Sequence, residues 1–134
     1  MKKLIVALLL CAFLLTGCAA KPLPKGMEED AVIRAGQEIV NFLVDEEYET
    51  VVGCFREDVA ASVTAETVQN LMEGATLGLG MYEGRTDAMA TGRTVDGMEY
   101  GEAVILCEYK KGDVLFRIAF DTDMTLVGME ISEK

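Results

Sequence analysis

Tyr100 to Phe120 reads YGEAVILCEYKKGDVLFRIAF, and the fold turns on it. Ala103, Ile105, Cys107 and Tyr109 occupy alternate positions, with Glu102, Val104, Leu106 and Glu108 between them. After Lys110, Lys111, Gly112 and Asp113 the alternation resumes, with Val114, Phe116, Ile118 and Phe120 set against Leu115, Arg117 and Ala119. A period of two on either side of a short polar, glycine-bearing stretch predicts two antiparallel strands joined by a tight turn. One face of the pair is to be buried and the other half wet.

The same period extends outward in both directions. Thr86 to Thr94 reads as a preceding strand, and Val95, Asp96 and Gly97 carry the Asp-Gly signal of a hairpin. Downstream, Asp121 to Met124 is a turn, and Thr125, Val127, Met129 and Ile131 mark a last strand. Upstream the period lengthens. Val32, Ala35, Ile39 and Phe42/Leu43 draw one stripe along a helix within Met27 to Val44, with Glu28, Glu29 and Asp30 complementing the positive end of its dipole. The acidic run Asp45 to Glu47 interrupts the stripe, and Tyr48, Val51/Val52 and Phe55 resume it as a second, short helix. Thr64 caps a third, with Glu66 in its first turn and Val68, Leu71 and Met72 as its buried side, running to about Gly74. Ala75 to Gly84, with Gly78, Gly80 and Gly84, is expected to be a loop. The fold class is α+β, with about three N-terminal helices on one face of a bent antiparallel meander of about four strands.

Ahead of the domain, Lys2 and Lys3 precede an uncharged stretch of 12 residues, Leu4 to Leu15. That suits the core of a signal peptide and is short of the roughly 20 residues needed to span a bilayer. Leu15, Thr16, Gly17 and Cys18 follow, an order that resembles the lipobox of bacterial lipoproteins; Cys18 would receive diacylglycerol and become the new N-terminus. The alternative is an ordinary secretory signal cut after Ala19 or Ala20. With fatty acyl chains such as palmitate, each buried CH₂ contributes about 0.8 kcal/mol, and two chains suffice for stable anchoring. Residues 1-17 are thus expected to be a lipoprotein signal peptide. Residues 18-26, the lipidated Cys and a Pro/Lys linker, form an extended spacer of roughly 25 Å over Ala19 to Gly26. Residues 27-134 form a single domain, held at the cell membrane and facing outside the cytoplasm.

Charge narrows the partners. Removal of Met1 to Gly17 takes two lysines and no acid, leaving 10 basic and 23 acidic residues, net −13. Such a surface repels phosphate backbones and anionic head groups, so nucleic acid is excluded and the membrane is met through the anchor only.

The run Phe42, Leu43, Asp45 to Glu49, Val51/Val52 and Phe55, then Thr64-Ala65-Glu66, Val104 to Cys107, Val114 to Phe120, Asp121, Asp123 and Leu126 to Gly128 resembles a bacterial family of uncharacterised domains. That family is placed in the nuclear transport factor 2-like superfamily, with the cone fold of ketosteroid isomerase, and the resemblance spans roughly residues 30 to 132. It implies a cone-like fold. The chain departs from the family pattern at Glu46, Glu47, Tyr48, where a Gly-Asp-Tyr turn is expected, and at Met72, where an aromatic is common.

Chemistry-bearing residues are sparse. The absence of histidine removes the usual base near neutral pH, the Ser/His/Asp and Cys/His arrangements and the commonest zinc ligand. Tyr48, Tyr100, Tyr109 and Glu102 are the groups an isomerase-type site could use, or they are half-buried sheet residues with solvated tips. Arg117 either binds an anion or pairs outward with Glu102 or Glu108. Asp121, Thr122 and Asp123 begin like a calcium loop, but Leu126 and Ser132 stand where Gly and Glu are required. No cofactor, metal or catalytic residue is assigned. Cys54 and Cys107 either form a disulfide, which would close a loop of about 50 residues and contribute about 4 kcal/mol, or are two separate core thiols.

The leading expectation is a non-catalytic, tethered domain binding a small apolar ligand or an envelope protein in a pocket between helices and sheet, lined by Phe42, Tyr48, Phe55, Leu71, Ile105, Phe116 and Ile118. The alternatives are a small isomerase or dehydratase in that cavity, and a structural homodimer packed sheet to sheet.

Overall fold

The computed structural model describes residues 21–134; the signal segment and Cys18 lie outside them. Among the described residues four helices, α1 (Glu29–Val44), α2 (Tyr48–Cys54), α3 (Glu57–Ala60) and α4 (Ala65–Thr76), precede four strands, β1 (Tyr82–Val95), β2 (Met98–Tyr109), β3 (Gly112–Phe120) and β4 (Leu126–Glu133). The strands form one antiparallel sheet in sequential order, an α+β meander as expected. The single turn of α3 is the helix that had no sequence signal of its own.

The inward face of the sheet carries Ala90, Ala103, Ile105, Cys107, Val114, Phe116, Ile118 and Phe120, all buried. Register sets Ile105 opposite Phe116 and Ala103 opposite Ile118. α1 lies across this face with Val32, Gly36, Ile39, Val40 and Leu43 buried. A Cβ at Gly36 would collide with that of Ala103, so glycine there lets the helix axis come down onto the small residues of β2. α1 ends with the amide of Glu47 donating to the Phe42 carbonyl (2.8 Å) and that of Glu46 to Leu43 (3.2 Å). Glu46 takes the left-handed position of this helix stop at φ 59, a place usually filled by glycine.

Thr64 caps α4 as expected, its hydroxyl accepting from the Thr67 amide at 3.1 Å. The buried side of α4 is Val68, Met72 and Ala75, and Leu71 is 41% exposed. Steps of four and three from Val68 keep to one face, and Leu71 falls at its margin.

Three further differences have physical causes. β1 begins at Tyr82, ahead of the expected Thr86, because what reads as a glycine loop is a strand with irregular register between Tyr82 and Gly84 and again between Arg85 and Asp87. Such bulges insert an extra residue without ending the strand. In β4, Leu126 pairs with Phe120 and Gly128 with Ala119, which leaves Val127 as an extra residue. Leu126 therefore takes the buried position expected of its neighbours Thr125 and Val127. The third concerns residues 21–26. Gly92 donates its amide to the Lys21 carbonyl (3.0 Å), and the Lys21 amide donates to Thr91 Oγ1 (2.8 Å). A side chain on Gly92 would strike the Pro22 carbonyl, and Pro24 is buried. The described part of the expected free spacer lies against β1.

Two of the three hairpins show their turn chemistry plainly. Asp96 and Gly97, φ 51 and 79, form the two-residue loop between Val95 and Met98. Asp121 Oδ1 accepts from the amides of Asp123 (3.0 Å) and Thr125 (2.9 Å), closing the β3–β4 turn.

Candidate functional site

The space between helices and sheet is filled. Ile105, Phe116 and Ile118, expected to line a pocket, are fully buried in the packed core, and Phe55 is buried where it bridges to Leu126. Phe42 is half-buried at the edge of the α1 stripe, and Leu71 faces solvent. Of the expected lining, Tyr48 is the residue that meets open volume.

That volume, about 200 Å³, lies at one end of the layer, between the C-terminal turns of α1 and α4 and the open end of the β1–β2 hairpin. It is lined by Leu43, Val44, Glu46, Tyr48, Met72, Glu73, Thr76, Gly80, Tyr82 and Tyr109. Tyr82 and Tyr109 are opposite one another in register, and their rings meet edge to face, centroids 5.5 Å apart and planes at 70°. Tyr109 is 6% exposed, and its hydroxyl is buried with no hydrogen-bond partner among the described residues. The Cys107 thiol donates to the Tyr82 oxygen at 3.8 Å.

Burial pushes the phenols of Tyr82 and Tyr109 up to about 12. It raises Tyr48 as well, helped by the carboxylates of Glu46 and Glu73. All three rings are neutral near pH 7, so the cavity offers aromatic faces and hydroxyls, with carboxylates at its edge. Met72, where the resemblance implied an aromatic, lines this space. Tyr82 was absent from the residues singled out by sequence. Its signal was an aromatic two positions before Gly84, at a bulge.

The other sequence candidates lie elsewhere. Glu102 and Tyr100 are on the opposite face of the sheet, away from Tyr48 and Tyr109. Glu102 is 3% exposed, its two oxygens accepting from Arg93 (3.1 Å) and Arg117 (3.0 Å). Arg117 thus makes the outward pair with Glu102. Met89, Val104, Leu106 and Leu115, all half-buried, occupy this face beside the arginines, where a sheet-to-sheet dimer would pack.

Cys54 and Cys107 are both free thiols, so the disulfide is not formed. Cys54 ends α2, which packs mainly on α1 and α4, and its thiol is raised by burial and by Glu38. Cys107 sits on β2 under Tyr82, raised by burial. Among the described residues no group of three acidic or cysteine side chains is placed to hold a metal ion, and no helix is long and apolar enough to cross a membrane.

Four helices on an open four-stranded meander, with an aromatic cavity at the hairpin end, define the class of domain. The chain belongs to the family described as "Protein of unknown function (DUF3887)", which it matches over residues 36–129, a span that contains every tyrosine and carboxylate of the cavity. It is similar to the solved "NMR structure of protein from Ruminococcus gnavus ATCC 29149", with a TM-score of 0.70 and 25% identity over 82% of this chain and 96% of that one. No curated protein matches it.

Proposed function

We propose that this chain is a lipoprotein of the cell surface whose domain, a member of the nuclear transport factor 2-like cone class, binds a small ligand in the tyrosine-walled cavity without transforming it. One observation carries the ligand reading: a buried hydroxyl without a partner costs about 1–3 kcal/mol, and among the described residues the Tyr109 hydroxyl is such a group, on a residue that lines the open volume. A ligand that hydrogen-bonds to it offsets that cost. Binding is favoured over chemistry because Glu102 is committed to two arginines on the far face.

The anchor reading rests on Lys2 and Lys3, the apolar run and Leu15 to Cys18. With Lys21 docked on β1, three residue steps remain between Cys18 and the domain, about 10 Å at full extension. The cavity lies near the other end of β1, about ten residues or roughly 30 Å away.

The chain has four tyrosines, which makes the test direct. In the full chain labelled at its tyrosine rings and held in non-ionic detergent, a panel of small neutral and charged compounds is screened by NMR. Binders are expected to shift Tyr48, Tyr82 and Tyr109 together and leave Tyr100 in place. Hits confined to Tyr100, or none across the panel, would contradict the reading. For the anchor, intact mass is expected to show an N-terminal Cys18 bearing acyl chains, and an unmodified residue 18 would refute it.

A further inference from the structure

The cavity wall has an electrostatic sign. Its lining includes two carboxylates, Glu46 and Glu73, and three aromatic rings, with no lysine or arginine. Glu46 holds its place from a left-handed backbone, φ 59, which costs a non-glycine residue roughly 1–2 kcal/mol. Tyr82 and Tyr109 stand at 70° to one another, and Tyr48 lines the same space. Two cations stand near its rim without lining it: Arg85, which donates to Gln37 at 3.4 Å and acts on the Tyr82 phenol, and Lys110, whose stem runs along Gly80.

An anion entering this space would meet the two carboxylates of the lining, with Arg85 and Lys110 only at its rim. A purely apolar molecule would leave the carboxylates unused. A cation gains from both the ring quadrupoles and the acids. At about 30 Å³ per water, about 200 Å³ is the liquid volume of about seven waters, room for an ion of about as many heavy atoms. We propose that the cavity takes a small N-methylated ammonium ion carrying a hydroxyl, held between the three tyrosine rings and the Glu46 and Glu73 carboxylates. This rests on the reading of the cavity as a ligand site.

Choline is the probe, and the control is its neutral isostere with carbon in place of the quaternary nitrogen. The full chain is titrated in a non-ionic detergent without choline head groups, followed by calorimetry and by tyrosine emission, which is read directly because the chain has no tryptophan. Saturable choline binding is expected, at least about 10-fold tighter than the isostere, and weakened about 10-fold by Glu46→Gln combined with Glu73→Gln. Both acids are exposed, so the variant keeps the core intact. Equal binding of choline and isostere would overturn the cation inference and leave the ligand site standing. No saturable response to either would overturn the inference and count against the site for ligands of this size.

Discussion

Tyr109 stands out among single residues because its hydroxyl is buried without a partner while its ring is well packed. Tyr109→Phe removes the unmet group and keeps the ring. The ligand-free protein is expected to gain about 1 kcal/mol, seen as a melting temperature raised by about 4 °C. A loss of stability would mean that the hydroxyl has a partner. The phenols also set a pH limit. Tyr82 and Tyr109 titrate near 10 when unfolded and at about 12 in the fold, so the folded chain holds their protons longer. Their contribution is complete below pH 10 and is lost as pH rises through 12, on the order of 2 kcal/mol for Tyr109. Alkaline denaturation followed by circular dichroism is expected to show this loss, and Tyr109→Phe to reduce it. At this scale the sequence was legible where one residue type implies one environment. Tyr48 and Tyr109 stood among the candidates, and Arg117 with Glu102 among the expected pairs. Tyr82 was not, because its exposure to the cavity depends on bulges that periodicity does not reveal.

Among the elements, the strands of Tyr100 to Phe120 follow the alternation residue by residue, since a half-buried sheet leaves its period in the sequence. The misses fall where that period breaks. An extra residue at Val127 shifts Leu126 inward, and the bulges of β1 place Tyr82 and Gly84 in a strand whose composition resembles a loop. In α4 a stripe read as Val68, Leu71 and Met72 turned by one position to Val68, Met72 and Ala75. The pocket lining was illegible for a related reason. Whether Phe116 faces a cavity or a neighbour depends on how closely α1 approaches, and Gly36 lets it close the space. Phe116→Ala is therefore expected to cost about 3–5 kcal/mol in denaturant unfolding. Any ligand affinity should persist under conditions where the variant remains folded. A variant of unchanged stability would place Phe116 at a cavity after all.

For the molecule as a whole, the docked segment and the cavity occupy opposite ends of β1. Pro22 lies so close to Gly92 that an added methyl must displace it. Gly92→Ala is expected to release residues 21–26 and speed tryptic cleavage after the exposed Lys25, while the melting temperature changes little. Unchanged cleavage would show that the segment is not held there. Composition predicts an extended spacer over Ala19 to Gly26; in its described part Lys25 and Gly26 form a turn and Lys21 is bonded to β1, since a proline-rich segment can lie against a sheet edge as readily as span water.

The central claim is that the Tyr48, Tyr82 and Tyr109 cavity holds a small molecule. Native mass spectrometry of the full chain released from its own membrane tests it most directly. A non-covalent small-molecule adduct on the protein, reduced in Tyr109→Phe, is the result expected. A protein that flies without any adduct, or an adduct indifferent to Tyr109, would contradict the account.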